Sequence, residues 1–296
     1  MTSTLTLFVN PTAGRGRAVP AARAAATALR ARGRTVATVV GSGPADALAA
    51  ARRAVAGGTG ALVAVGGDGM VHLAAQAVAG TGTPLGVVAA GTGNDFARAL
   101  GLPVRAPTAA AERVADALDT GGGRPVDLGR IGDRWFATVL ACGFDSRVND
   151  RGNRMRLPAG RLKYDLAMLA ELAALRPLDY KITLGDGSPA EVSGILVAVG
   201  NTASYGGGMR MCPGADPHDG LFDVTVVGAC TRATLLRVFP RVYRGTHVGH
   251  PVVTVHRAAR VEIMAPATTA YADGEPLGAL PVTAECVRGA VRVLGV

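Results

Sequence analysis

Lysine is almost missing from this chain: Lys163 and Lys181 are the only two, so nearly all of its 31 cationic side chains are arginine. Aromatic residues are also scarce at 4%, which leaves no interleaved basic and aromatic platform on which nucleic-acid bases could stack. Cys142, Cys212, Cys230 and Cys286 are scattered without CxxC spacing, excluding a disulfide framework and a thiolate zinc centre, so they read as reduced and packed. His218, His247 and His250 lack the further ligands that zinc would need at suitable spacing. No apolar run approaches the roughly 20 residues that cross a bilayer. The opening Met1-Thr-Ser-Thr-Leu-Thr-Leu-Phe-Val-Asn10 has neither a basic leader nor a cleavage site, and the expected location is the cytoplasm. There is no GxxxxGK[ST] loop, no complete GxGxxG and no GxSxG elbow, which argues against P-loop ATPases, ordinary dinucleotide-binding dehydrogenases and hydrolases.

What remains is a chain of 296 residues, 49% apolar and 18% charged, a composition that folds compactly and has length enough for two domains. Its net charge of +9 suits an anionic membrane surface, nucleic acid or a phosphorylated substrate, each with salt-sensitive binding.

The most informative segment is Leu62-Val-Ala-Val-Gly-Gly-Asp-Gly-Met70. An apolar run of β character stops in three glycines around one carboxylate, Asp68. Gly66, Gly67 and Gly69 have no Cβ and tolerate positive φ, so backbone N–H groups can approach an anion closely. A second such turn, Gly91-Thr-Gly-Asn-Asp-Phe-Ala-Arg98, follows the apolar run Pro84–Ala90 about one βαβ unit later. From Leu5 to about Pro125, short strands alternate with alanine-rich helices over Leu5–Val9, Ala18–Arg32, Thr35–Val40, Pro44–Ala56, Ala61–Val65, Val71–Ala79, Leu85–Ala89 and Thr108–Asp119. This order predicts a parallel sheet with helices on both faces and a ligand beyond the carboxyl ends of the strands. After the turn-rich Gly121-Gly-Gly-Arg-Pro125 the pattern changes to strands: Trp135–Ala141, Tyr180–Leu184, Val192–Gly200, Phe222–Val227, Val252–Val255, Arg260–Met264, Val282–Glu285 and Ala290–Leu294. One helix is predicted near Arg161–Leu175. Domains are therefore expected at 1–125, α/β and nucleotide-binding, and at 126–296, β-rich.

Taken in order, Asn10-Pro-Thr-Ala-Gly14, Gly66-Gly-Asp-Gly-Met70, Gly91–Arg98, Gly206-Gly-Gly-Met209 with Pro213 and Asp219-Gly-Leu221, and Asp273-Gly-Glu275 resemble the diacylglycerol kinase catalytic family, which includes bacterial lipid kinases and the sphingosine and ceramide kinases. The resemblance runs from Asn10 to Glu275. It implies an α/β domain similar to those of NAD kinases and phosphofructokinases, packed on a β-sandwich, with the active site in the cleft between them. It further implies that Asn10, Pro11, Thr12, Ala13, Gly14, Gly66, Gly67, Asp68, Gly69, Met70 and Thr92 hold ATP, with Ser42 near the same pocket. Asp68, Asp95 and Asp127 would place the catalytic Mg²⁺, and Glu275 would be the general base. A second, structural Mg²⁺ would be held by Asp219, Asp216 and Leu221. The chain departs from the family's first glycine motif where Met70 replaces threonine and Leu73 stands in place of the usual glutamate.

The expected activity is ATP- and Mg²⁺-dependent phosphorylation of a lipid hydroxyl, diacylglycerol first, by a peripheral protein at the inner membrane face. A sphingoid base or phosphatidylglycerol is the alternative acceptor, a nucleotide-binding regulator without catalysis is the alternative class, and a homodimer is compatible with either. Arg147, Arg151, Arg154, Arg156, Arg161 and Lys163 form the densest basic run and are the expected contact with anionic lipid.

Overall fold

Every residue of β1 (Leu5–Val9), β3 (Ala61–Gly66) and β4 (Leu85–Ala89) is buried. Apolar runs without a polar alternate need cover on both faces, which a parallel sheet between two helical layers provides. In the computed structural model, which describes residues 4–11, 16–154, 170–172 and 174–296, these strands and β2 (Val36–Val40) lie in the order β2-β1-β3-β4, all parallel. α1 (Ala18–Ala31) buries Ala18, Ala21, Ala25 and Leu29, a stripe at helical spacing. With α5 (Pro107–Asp119) it packs on Leu7, Val9 and Val63. The opposite face carries Phe8, Leu62 and Ala64 against α2 (Pro44–Ala56) and α3 (Asp68–Val78).

The rest of the chain is antiparallel. It comprises β5 (Arg124–Ile131), β6 (Arg134–Phe136), β7 (Val139–Gly143), β8 (Leu178–Leu184), β9 (Ala190–Gly200), β10 (Phe222–Gly228), β11 (Val253–Ala258), β12 (Arg260–Met264), β13 (Thr269–Ala272), β14 (Glu275–Ala279) and β15 (Val282–Val293). These strands form a β-sandwich around Phe136, Leu140, Tyr180, Phe222 and Val261, so the expected pairing of an α/β half with a sandwich holds. β15 joins the halves: it pairs with β12 and β5 and meets β4 in parallel at Val293 and Leu85. Its residues Ala290, Val291 and Val293 sit in the same core cluster as Phe8 and Leu62.

Several elements differ from expectation for local reasons. The strands predicted at Val282–Glu285 and Ala290–Leu294 are one strand with a register shift between Val287 and Val291, where Gly289 takes φ 57, as a bulge requires. β5 was hidden by Pro125, Asp127 and Gly129, residues that strands usually disfavour. α6 (Phe144–Arg154) follows β7 directly. The helix expected near Arg161–Leu175 lies mostly outside the described residues, which include a helical stretch at 170–172. α7 (Arg232–Val242) begins at Thr231, whose hydroxyl caps the Thr234 N–H at 3.2 Å. Cys142 and Cys212 are buried and free, their thiols pushed up to about 12 by burial, so they are packed, unreactive side chains.

Candidate functional site

Because β3 and β4 are adjacent and parallel, with Gly66 opposite Ala89, the turns that leave them run side by side. The Gly66 carbonyl accepts the N–H groups of Ala90 at 2.8 Å and Gly91 at 3.2 Å. A Cβ on Gly91 would stand 2.4 Å from the Gly67 Cα, and one on Gly93 would stand 2.5 Å from Asp68 Oδ2. The glycines are therefore needed for close approach. None of Gly66, Gly67, Gly69, Gly91 or Gly93 has positive φ; the turns use their missing Cβ rather than a left-handed backbone. The left-handed residue is Asn94, φ 59. Its side chain closes on Gly91, accepting the Gly91 N–H at 2.9 Å and donating to the Gly91 carbonyl at 3.0 Å.

Asp68 opens α3 and accepts the N–H groups of Asn94 and Asp95, both at 2.7 Å, capping the short helix α4 (Asp95–Ala99). Asp95 is buried and accepts the Gly207 N–H at 2.6 Å and the Ser204 hydroxyl at 3.4 Å, so a loop of the sandwich is fastened to the second glycine turn. Burial, and next the charge of Asp95, push the Asp68 carboxyl above its ordinary range.

These turns open on a cleft of about 650 Å³. Its walls are α2, α3 and both glycine turns on one side, and the β5–β6 and β13–β14 turns on the other. Of the residues expected to hold nucleotide, Asn10, Gly67, Asp68, Gly69, Met70 and Thr92 line it, and so does Glu275. Gly66 is buried beneath the turn, and Pro11 is exposed beside Asn10. Thr12, Ala13 and Gly14 lie outside the described residues. Ser42 is not brought to the cleft: its N–H and hydroxyl both donate to Asp46, at 2.9 and 3.0 Å, at the start of α2. Leu73 lines the cleft half-buried, packed against the core. Glu275 is exposed.

Asp127 is buried away from this cleft. Its Oδ1 accepts the Gly289 N–H and its Oδ2 the Gly220 N–H, each at 2.7 Å. At Asp216–Leu221 the donors are already engaged. The Asp219 carboxylate pairs with Arg257, which also reaches Asp223 at 3.1 Å. The Asp219 carbonyl accepts Arg288 at 2.8 Å, and Asp216 accepts the His218 N–H at 3.1 Å. Two guanidiniums thus engage Asp219, one on its carboxylate and one on its carbonyl. Among the described residues no group of three His, Cys, Asp or Glu is arranged for a metal. Asp68 lines the cleft with Asp95 buried behind it; one or two carboxylates, with water and substrate phosphate, are what a Mg²⁺ ion would take there.

Several cleft residues were not anticipated: Arg52, Asp133, Arg134, Gln76 and His72. Gln76 ties α3 to β6, exchanging hydrogen bonds with the Trp135 carbonyl (2.6 Å) and N–H (2.9 Å). His72 is paired with Asp273. The available signal was helical spacing, since His72 falls four residues after Asp68 and so shares its face of α3.

Comparison with known proteins agrees with this fold. Residues 4–131 match the diacylglycerol kinase catalytic domain, and residues 138–295 match the YegS C-terminal NAD kinase beta sandwich-like domain. The chain is 47% identical over 296 residues to a diacylglycerol kinase of Mycobacterium tuberculosis, covering 98% of this chain and 94% of that protein. It is 30% identical over 240 residues to a diacylglycerol kinase of Bacillus subtilis, covering 80% and 78%. In fold it is similar to a diacylglycerol kinase structure from Bacillus anthracis, with TM-score 0.75, 22% identity and coverage of 99% and 96%. An NAD kinase of Archaeoglobus fulgidus in complex with ATP aligns at TM-score 0.55, with 14% identity and coverage of 96% and 90%. With both halves matched and close to half of its residues shared with a diacylglycerol kinase over almost its whole length, the chain belongs to the diacylglycerol kinase catalytic family of lipid kinases.

Proposed function

We propose that the cleft binds ATP and that the protein transfers its γ-phosphoryl group to the hydroxyl of diacylglycerol, giving phosphatidic acid, while docked on an anionic membrane. The observation that carries this reading is the Asp68–Asp95 pair beneath two abutting glycine turns, at the edge of a cleft that also holds Arg52, Arg134 and Glu275. The turns bring backbone N–H groups close to phosphate oxygens. Arg52 and Arg134 add fixed positive charge, so positioning and electrostatics supply most of the catalysis, as is usual for phosphoryl transfer. A Mg²⁺ ion held by Asp68 and Asp95 would neutralise phosphate charge and relieve the repulsion between these two carboxylates.

The test is transfer of labelled γ-phosphate from ATP, with and without Mg²⁺, to diacylglycerol in mixed micelles. Labelled phosphatidic acid is the expected product. Label appearing only on a sphingoid base or phosphatidylglycerol would reassign the acceptor. ATP binding without transfer to any lipid would support the regulator instead.

For membrane docking, α7 is the better-supported surface. Of the run first expected there, Arg151 is paired with Glu171 at 2.5 Å, while Arg156, Arg161 and Lys163 lie outside the described residues. On α7 and at its C-cap, Leu236 is 57% and Tyr243 51% exposed, and Phe239 meets Tyr243 edge-on at 6.2 Å. Arg232, Arg237, Arg241 and Arg244 are exposed around them, and no carboxylate occurs between Asp223 and Glu262. Apolar tips within a field of arginine suit anionic headgroups over acyl chains. The buried face, Leu235, Val238 and Val242, packs with Tyr205 and Met211, at either end of the loop whose Gly207 N–H holds Asp95. Leu236→Ser combined with Tyr243→Ser should weaken binding to vesicles containing phosphatidylglycerol about tenfold or more, with activity in detergent micelles retained. Equal vesicle binding by this variant would remove α7 from the docking surface.

A further inference from the structure

Along one face of α3, residues four apart reach three different parts of the molecule. Asp68 caps the second glycine turn through the Asn94 and Asp95 N–H groups. One turn on, His72 Nδ1 meets Asp273 Oδ2 at 3.1 Å. A turn further, Gln76 holds both the N–H and the carbonyl of Trp135 on β6. A helix advances about 6 Å in four residues, so the three fastenings stand at a fixed spacing. The second of them reaches the tip of a hairpin. In β13 and β14 Ala272 faces Glu275, and the two residues between, Asp273 and Gly274, are both left-handed at φ 53 and 86, the backbone that a two-residue hairpin turn favours. The Asp273 side chain is 2% exposed and that of His72 5%. Besides His72, the Asp273 carboxylate accepts the N–H groups of Ala137 and Thr138, each at 2.8 Å, and the Thr138 hydroxyl at 2.6 Å. These donors fill the acceptor positions of a carboxylate, which leaves none for a substrate. Glu275, two residues on, is exposed and lines the cleft with Asp68.

Asp273 is thus the buried anchor of the turn and Glu275 its exposed end. We propose that His72, Asp273 and Gln76 are positioning residues: through α3 they hold Glu275 at a set distance from the glycine turns. This rests on the lipid-kinase reading above and on Glu275 as the group that meets the acceptor hydroxyl, as the family resemblance implies. Transfer requires the hydroxyl and the γ-phosphate to be brought together in line, and a misplacement of about 1 Å can cost on the order of 100-fold. Asp68 marks the phosphate end of α3, and His72 fastens the acceptor turn one helical turn away, so a single rigid element spans both reactants. Arg134 supports the outer side of the same hairpin, donating to the Pro276 carbonyl at 3.0 Å. The arrangement asks of the ring only a hydrogen on Nδ1, which the imidazolium and one neutral tautomer both carry.

The test is a double-mutant cycle on the full chain, reading kcat and KM for the best lipid acceptor in mixed micelles together with the Kd for ATP. His72→Ala, which breaks the link, should lower kcat about 10- to 100-fold while KM and the ATP Kd stay within about twofold. His72→Asn, whose amide can donate from near the Nδ1 position, should recover most of that loss. In a Glu275→Gln background His72→Ala should cost less than about threefold more, because the group it positions is already gone. Gln76→Ala should follow the same pattern with a smaller loss, and it carries the cycle if His72→Ala fails to fold. Losses that multiply, a His72→Asn no better than His72→Ala, or full kcat with only a lower Tm would each overturn the positioning role and leave the kinase reading standing. A wild type that phosphorylates no lipid overturns both.

Discussion

Asp68→Asn should lower kcat/KM about 10³-fold while moving Tm by only a few degrees. Two effects oppose each other in the fold. The asparagine oxygen can keep one of the two N–H bonds from Asn94 and Asp95, so part of the α4 cap is lost. The charge facing Asp95 is lost as well, and that is a gain. Since the folded carboxyl is raised above its unfolded value by burial and by Asp95, the stability it contributes is present below the unfolded pKa and is lost as pH rises through the folded one. At neutral pH the ionised pair is thus a cost carried for function. A divalent cation should recover it: near 100 times its Kd, Mg²⁺ would stabilise wild type by about 2.7 kcal/mol, seen as a rise in Tm of several degrees that Asp68→Asn lacks. A variant that keeps wild-type turnover and its Mg²⁺ shift would remove Asp68 from the site.

What the sequence made legible followed from how local each signal was. The two glycine turns could be placed because strand, turn and helix are contiguous, and a parallel sheet must bring neighbouring turns together. That Gly91 abuts Gly67 could not be seen, because the contact depends on the register of β3 against β4. Asn94 was passed over because its left-handed backbone is stabilised by its own side chain on Gly91, a preference that asparagine allows but does not announce. The His72–Asp273 pair spans 201 positions; nothing near either residue marks the other, and Asp-Gly-Glu by itself is an ordinary hairpin turn. The same limit governs Asp219, whose carboxylate partner Arg257 and carbonyl partner Arg288 arrive from β11 and β15. Motif order revealed the family, while the partner of each carboxylate was a question of tertiary structure.

That distinction yields the largest expected loss of stability, at Asp127. The motif order grouped it with Asp68 and Asp95, but its two oxygens are spent on the Gly220 and Gly289 N–H groups, 93 and 162 residues further along the chain. Gly289 sits in the bulge of β15, and Gly220 in the turn before β10 that Arg288 also approaches. Asp127→Ala would orphan two N–H groups and delete two charge-assisted bonds. At about 1.5–3 kcal/mol for each such bond, the loss should reach about 3–5 kcal/mol, or a fall in Tm of about 10 °C. Asp127→Asn should fall roughly half as far, because its single oxygen can accept one N–H while its amide opposes the other. The contrary outcome is equally readable. If Asp127→Ala kept its Tm and lost Mg²⁺-dependent turnover, the carboxylate would have to leave its two backbone partners to reach the cation during catalysis. A stable but inactive variant would thus place Asp127 with Asp68 and Asp95, whereas an unstable one with residual turnover would confirm it as the anchor between β5, β15 and the turn before β10.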